Sequence, residues 1–161
     1  MSFARTSLLL IAATSITPSL GCGDTLDELA PGEGGSFTSI YDAIGEDCAG
    51  CHAPGAPGRT QGIEGTQNWS SRSAALSSLR GDATGLIGNF AACNGEPLLR
   101  PSADQSLLVA SLDSDVRANF ESPDNPDCNG DAVADQTLWV GVSDSVVQDL
   151  KDWVDSGAPD N

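Results

Sequence analysis

The chain has 161 residues and carries 7 Lys or Arg against 23 Asp or Glu, a formal charge of −16. That length holds one domain plus a short leader. The acidity excludes nucleic acid as a natural partner, because phosphate binding needs a basic surface. It fits either steering toward a basic partner protein or plain solubility of an exported chain.

Residues 1–21 read as a lipoprotein-type signal peptide. Arg5 supplies the positive start, and Leu8-Leu9-Leu10-Ile11-Ala12-Ala13 begins an apolar run too short to span a bilayer. Pro18-Ser19-Leu20-Gly21-Cys22 follows. Small and apolar residues before a cysteine point to bacterial lipid attachment at Cys22, although Ser19 stands where such signals usually carry Leu. Ordinary cleavage nearby is the alternative and leaves Cys22 free or paired. Either way the chain is expected at the bacterial cell envelope, anchored to a membrane facing the periplasm or on the extracellular surface. The leader holds Arg5 and no acid, so its removal leaves six basic residues against 23 acidic ones. Residues 22–161 contain only 27 Leu, Ile, Val and Phe, 19% of that stretch. Such a composition borders on the disordered class. A cofactor and a cross-link are the expected compensation.

Gly23, Pro31, Gly32, Gly34 and Gly35 interrupt an acidic stretch, so 22–35 reads as a flexible tether. The domain then occupies 36–161. Phe37, Ile40, Tyr41, Ile44 and Cys48 follow helical spacing after Ser36, a candidate N-cap, and predict a helix over 36–48. Gly45 weakens that helix and is expected to admit close approach of another.

Cys48-Ala49-Gly50-Cys51-His52 comes next. Cys-x-x-Cys-His is the attachment signature of a c-type haem. Thiols at this spacing lie about one helical turn apart and reach two vinyl groups of one porphyrin. The imidazole that follows is the proximal iron ligand, and His52 is the only histidine in the chain. One covalent haem c per chain is the expectation, and it agrees with export, since this attachment happens outside the bacterial cytoplasm. Two other readings use no haem. A thiol–disulfide redox pair needs βαβ patterning, which is missing. A zinc site lacks a second ligand pair.

Ala53-Pro54-Gly55-Ala56-Pro57-Gly58 is a turn-rich loop expected to wrap the proximal side, with a backbone carbonyl orienting His52. Ala75, Leu76 and Leu79 predict a short helix over 70–80, capped by Ser70 or Ser71, with Trp69 before it as a core residue or a haem-edge contact. Leu86, Ile87 and Phe90 extend an apolar patch to Cys93. A further helix is expected over 103–112 with Ser102 as cap. Residues 113–137 read as polar and irregular. Asp124, Asp127, Asn129, Asp131 and Asp135 crowd that loop, but position twelve counted from Asp127 is Leu138 and not the Glu of a calcium loop. The last helix is capped by Ser143, carries Val146, Val147, Leu150, Trp153 and Val154 on one face, and ends before Gly157. Of five cysteines, Cys93 and Cys128 remain after the lipid and haem assignments. An oxidising compartment favours a disulfide between them over two buried free thiols.

A leading helix running into Cys48-x-x-Cys51-His52, small middle helices and a final amphipathic helix resemble class I cytochromes c. The run from Val142 through Ala158, and Arg100-Pro101-Ser102-Ala103-Asp104-Gln105-Ser106-Leu107-Leu108, are similar to planctomycete-type cytochrome c domains of exported bacterial proteins. The likeness covers about 36–159. It implies an all-α fold of about four short helices around the haem, with long loops. It implies thioethers at Cys48 and Cys51 and proximal ligation by His52. It also implies crossing first and last helices that pack Ile40, Tyr41 and Ile44 against Leu150, Trp153 and Val154. The departure is the second axial ligand. The family commonly supplies a methionine from the segment matching 113–142, and the only methionine here is Met1. Asn119, Lys151 and Tyr41 are nominal donors, and none is assigned.

The expected function is one-electron transfer by a mono-haem cytochrome with a redox partner protein, without catalysis by side chains. The alternative is a haem-based module that binds or senses small ligands at an open axial position. A weak peroxidase belongs to the same alternative, against which stands the lack of a distal histidine in this chain to manage protons.

Overall fold

The computed structural model describes residues 35–56, 67–138 and 140–161. The chain divides into two units, 1–30 and 31–161, and all described residues belong to the second. The signal peptide, Cys22 and the tether up to residue 34 lie outside the described residues. Among the described residues, no helix is long and apolar enough to cross a membrane.

The described architecture is all-α. It has five α-helices, α1 (Phe37–His52), α2 (Arg72–Leu79), α3 (Leu107–Leu112), α4 (Ser114–Asn119) and α5 (Asp144–Asp155). Short 3-10 turns lie at Gly88–Cys93, Ala103–Gln105, Gly130–Ala132 and Gln136–Leu138. No strand forms among the described residues, only two isolated antiparallel bridges, Asp82 with Pro97 and Glu121 with Asn129.

Helix α1 starts where its capping residue predicts. Ser36 accepts a hydrogen bond from the Ser39 amide, satisfying one of the orphan first-turn donors. Two more are met from the far end of the chain: the Phe37 amide donates to Asn161 Oδ1 (3.0 Å) and the Thr38 amide to the Asn161 carbonyl (3.1 Å). Phe37, Ile40, Ile44 and Cys48 form its buried face. Beyond residue 48 the helix does not stop, as the sequence suggests, but carries the whole Cys-x-x-Cys-His motif on its last turn. Pro54 explains the end at His52: the residue before a proline is driven to extended backbone, and Ala53 sits at φ −102°, ψ 154°.

Helix α5 packs across α1. Phe37 and Trp153 are fully buried with ring centroids 5.0 Å apart. Burying each such side chain contributes about 1.5–3 kcal/mol. Gly35, and not Gly45, provides the close approach, since a Cβ on Gly35 would run into the Asp149 carbonyl of α5. A Cβ on Gly45 would meet the Tyr41 ring of its own helix at 3.0 Å. Tyr41 stacks on Trp69 in parallel (6.0 Å, 3°), while Phe37 meets Trp153 of α5 and Ile40 and Ile44 are buried in the same core. Helix α5 begins under the Ser143 cap and ends in a Schellman turn: Gly157 at φ +93° donates to Val154, and Ala158 to Trp153.

The middle of the chain differs in two places. The helix expected over 103–112 breaks at Ser106, whose buried hydroxyl accepts the Arg100 amide (2.8 Å) and reaches the Ser102 carbonyl (3.0 Å). Ser102 caps neither half with its side chain. Residues 114–119, read as irregular, form α4. Its N-cap is Asp113: Oδ1 accepts the amides of Asp115 (2.8 Å) and Val116 (3.1 Å), while Oδ2 pairs with Lys151 of α5 at 2.9 Å.

Candidate haem-attachment site

Cys48, Cys51 and His52 stand at i, i+3 and i+4 on one turn, so their side chains leave the same side of α1. Cys48 is buried, and Cys51 and His52 are half-buried. Both thiols are free. The chain beyond is described as far as Ala56, where Ala56 donates to the Ala53 carbonyl (3.0 Å) around Gly55 at φ +79°. Pro57 and Gly58 of the loop expected to orient His52, and residues 59–66 after it, lie outside the described residues. Where the chain resumes, it returns to the motif: the Trp69 amide donates to the His52 carbonyl at 2.9 Å. Trp69 is a core residue, with its indole N–H on Gln67 (2.8 Å).

The electrostatics separate the readings of the two thiols. Burial, followed by the neighbouring charges of Asp47 and Cys51, pushes the Cys48 thiol up to about 12. A reactive thiol is one whose pKa is depressed, so burial disfavours Cys48 as an attacking thiolate. Two free thiols and one imidazole on a single turn are, in contrast, the donor set that covalent haem consumes, and the residues fit the group. Among the described residues, no group of three or more His, Cys, Asp or Glu side chains is placed to hold a metal ion.

The nominal second ligands all have other bonds. Asn119 donates to the Asp115 carbonyl (2.9 Å), Lys151 is paired with Asp113, and the Tyr41 hydroxyl donates to the Trp69 carbonyl (3.2 Å). The acidic loop is likewise used internally. Asp124 pairs with Arg100 (2.7 Å), Asp135 with Arg117 (2.8 Å), and Asn129 accepts the Asp131 amide (3.1 Å).

Cys93 and Cys128 are fully buried and disulfide-bonded, with sulfurs 2.01 Å apart. Beside them lies a network that sequence reasoning missed. Buried Glu96 accepts from Arg100 (3.0 Å) and from the Ser122 hydroxyl (2.6 Å), joining both arms of the disulfide. The i, i+4 spacing of Glu96 and Arg100 was the available signal, and Pro97 between them removes the helix that would make it legible.

No family model matches this chain, and no curated protein or solved structure matches it either.

Proposed function

We propose that the chain is an exported, lipid-anchored mono-haem c-type cytochrome that transfers single electrons at the cell envelope. The observation that carries this reading is the placement of Cys48, Cys51 and the only histidine, His52, on one terminal helical turn with both thiols free. Cys48 and Cys51 would hold the haem as thioethers and His52 would be its proximal ligand. The haem supplies reversible one-electron chemistry at iron. The protein's own contribution is positional: α1 fixes the spacing of the three side chains, and the Trp69 amide anchors the backbone of His52. The low content of core residues supports a fold completed by its cofactor.

A second reading, a module that binds small ligands at the iron, rests on one sequence fact: residues 22–161 contain no methionine and no second histidine. Methionine ligation raises haem potential, so a lower potential than that of a His/Met cytochrome is expected under either reading.

A haem stain on a denaturing gel tests the attachment. Protein from cells with haem-maturation machinery is expected to stain, and Cys48→Ala/Cys51→Ala to lose the stain. An unstained wild-type band refutes both readings. An optical spectrum then examines the second ligand: a sulfur–iron band would overturn the absence of methionine ligation. Carbon monoxide binding without displacement of a native ligand favours the second reading, and rapid exchange with an envelope cytochrome the first.

A further inference from the structure

Four aromatic side chains meet between α1, α5 and the stretch before α2. Ring centre to ring centre, Phe37 lies 5.0 Å from Trp153, 6.3 Å from Trp69 and 6.3 Å from Tyr41, and Tyr41 lies 6.0 Å from Trp69. The Tyr41–Trp69 pair differs from the others. Its rings are within 3° of parallel, whereas the other three pairs are tilted by 31° or 46°. Stacked rings put their π-systems face to face. The Tyr41 hydroxyl also donates to the Trp69 carbonyl (3.2 Å), which fixes the pair. Phenol and indole are the two side-chain rings that give up an electron readily, and phenylalanine is not one of them.

Two polar details set a direction. The indole N–H of Trp69 donates to Gln67 Oε1 at 2.8 Å. That oxygen is a neutral amide acceptor, too weak a base to take the proton. An oxidised Trp69 therefore stays a radical cation, the more strongly oxidising form of the indole. Tyr41 is half-buried and borders an open cleft with Asp42 and Glu46. Its phenolic proton has water to leave to. A phenol that sheds its proton holds an oxidising equivalent more stably than an indole that keeps one.

We propose that Trp69 and Tyr41 form a relay that carries oxidising equivalents out of the core. Trp69 is 2% exposed, but an electron leaves it without contact. A one-electron oxidant, such as an oxygen-centred radical, takes that electron and is reduced by it. Tyr41 then gives one electron to the Trp69 radical cation and its hydroxyl proton to water. Trp69 is restored, and Tyr41 becomes a neutral phenoxyl radical. A hydrogen-atom donor of the thiol or enediol class returns a hydrogen atom to the Tyr41 oxygen and is itself left as a radical. Cys48 belongs to the same buried core as Trp69, and its thiol is the group that such a drain spares. No step uses a haem, so the relay does not depend on that reading.

Laser flash photolysis of the full-length protein tests this. Light at the red edge of the indole absorption, with a cobalt(III) ammine as irreversible electron acceptor, oxidises tryptophan and leaves tyrosine untouched. Trp69, Trp139 and Trp153 all contribute to the indole-radical signal, whereas Tyr41 is the only tyrosine and the sole source of a phenoxyl band. A fast component of the indole-radical decay is expected, matched by the rise of the phenoxyl band and independent of protein concentration. Tyr41→Phe keeps the ring and is expected to lose the phenoxyl band and that fast component together. Trp69→Phe is expected to lose the fast component although Tyr41 is present, with its folding checked by circular dichroism. Absence of the phenoxyl band in wild type would overturn the proposal. So would an unchanged indole-radical decay in Tyr41→Phe, or an equally fast phenoxyl rise in folded Trp69→Phe. If Trp69→Phe does not fold, the decay in Tyr41→Phe decides alone.

Discussion

Removing the Cys93–Cys128 disulfide is expected to be the most damaging change outside the Cys48–His52 turn. The bond links positions 35 residues apart. In the chain-entropy treatment, closing a loop of that length removes unfolded-state entropy equivalent to about 3.8 kcal/mol at 25 °C. Typical domains are stable by about 5–15 kcal/mol, so this one bond represents a large fraction. Alanine is the informative replacement. Both sulfurs are fully buried, and a serine hydroxyl there would add the separate cost of an unsatisfied polar group. Cys93→Ala/Cys128→Ala is therefore expected to lower stability by about 3–4 kcal/mol. For a domain of this size that is a fall in Tm of roughly 12–16 °C. The assay is thermal unfolding by circular dichroism on wild type and variant prepared in parallel; under the proposed haem reading the two are matched for haem per chain. A loss below about 1 kcal/mol would refute the entropy argument. It would mean that the Glu96 network already holds the two arms together in the unfolded ensemble.

Asp113 divides its two oxygens between capping α4 and holding Lys151. Asp113→Asn keeps the cap acceptor and should cost about 1 kcal/mol, while Asp113→Ala should cost about 2; equal losses in urea titrations would show that the two roles are not separable. Burial pushes the Asp113 carboxyl up, but the Lys151 ammonium and the amides of Val116 and Asp115 outweigh it and hold the carboxyl below its ordinary range. The Asp113 hydrogen bond raises Lys151. The pair's contribution is thus complete above the usual aspartate pKa and lost as pH falls through the depressed one. On the alkaline side it is complete below the usual lysine pKa and lost as pH rises through the raised one. The wild-type minus Lys151→Met difference in stability should follow that window. Gly35→Ala should cost about 1–3 kcal/mol by forcing α1 and α5 apart. Gly45→Ala should stay within about 1, because gained helix propensity offsets the shift of the Tyr41 ring; the reverse order in thermal melts would place the helix crossing elsewhere.

Helix α5 was legible because three signals agree: the Ser143 cap, an apolar stripe through Leu150, Trp153 and Val154, and a glycine at the left-handed position 157. Helix α4 was not, because Val116 is its only buried residue and one apolar side chain has no period. The break at Ser106 depends on hydrogen bonds to residues 100 and 102, which no helical pattern contains. Gly35 was hidden by its place at the end of a glycine-rich stretch, where it reads as tether. At the last turn of α1, cysteine and histidine chemistry depends on residue identity at short spacing, so the Cys-x-x-Cys-His motif needed no structure to be found.

The bonds that the first turn of α1 donates to Asn161 tie the helix that carries the cysteines to a residue 124 positions on from Phe37. Cys48 is walled off in the finished fold. Under the proposed haem reading, a group joined to that sulfur has to reach it before α1 is packed into the core.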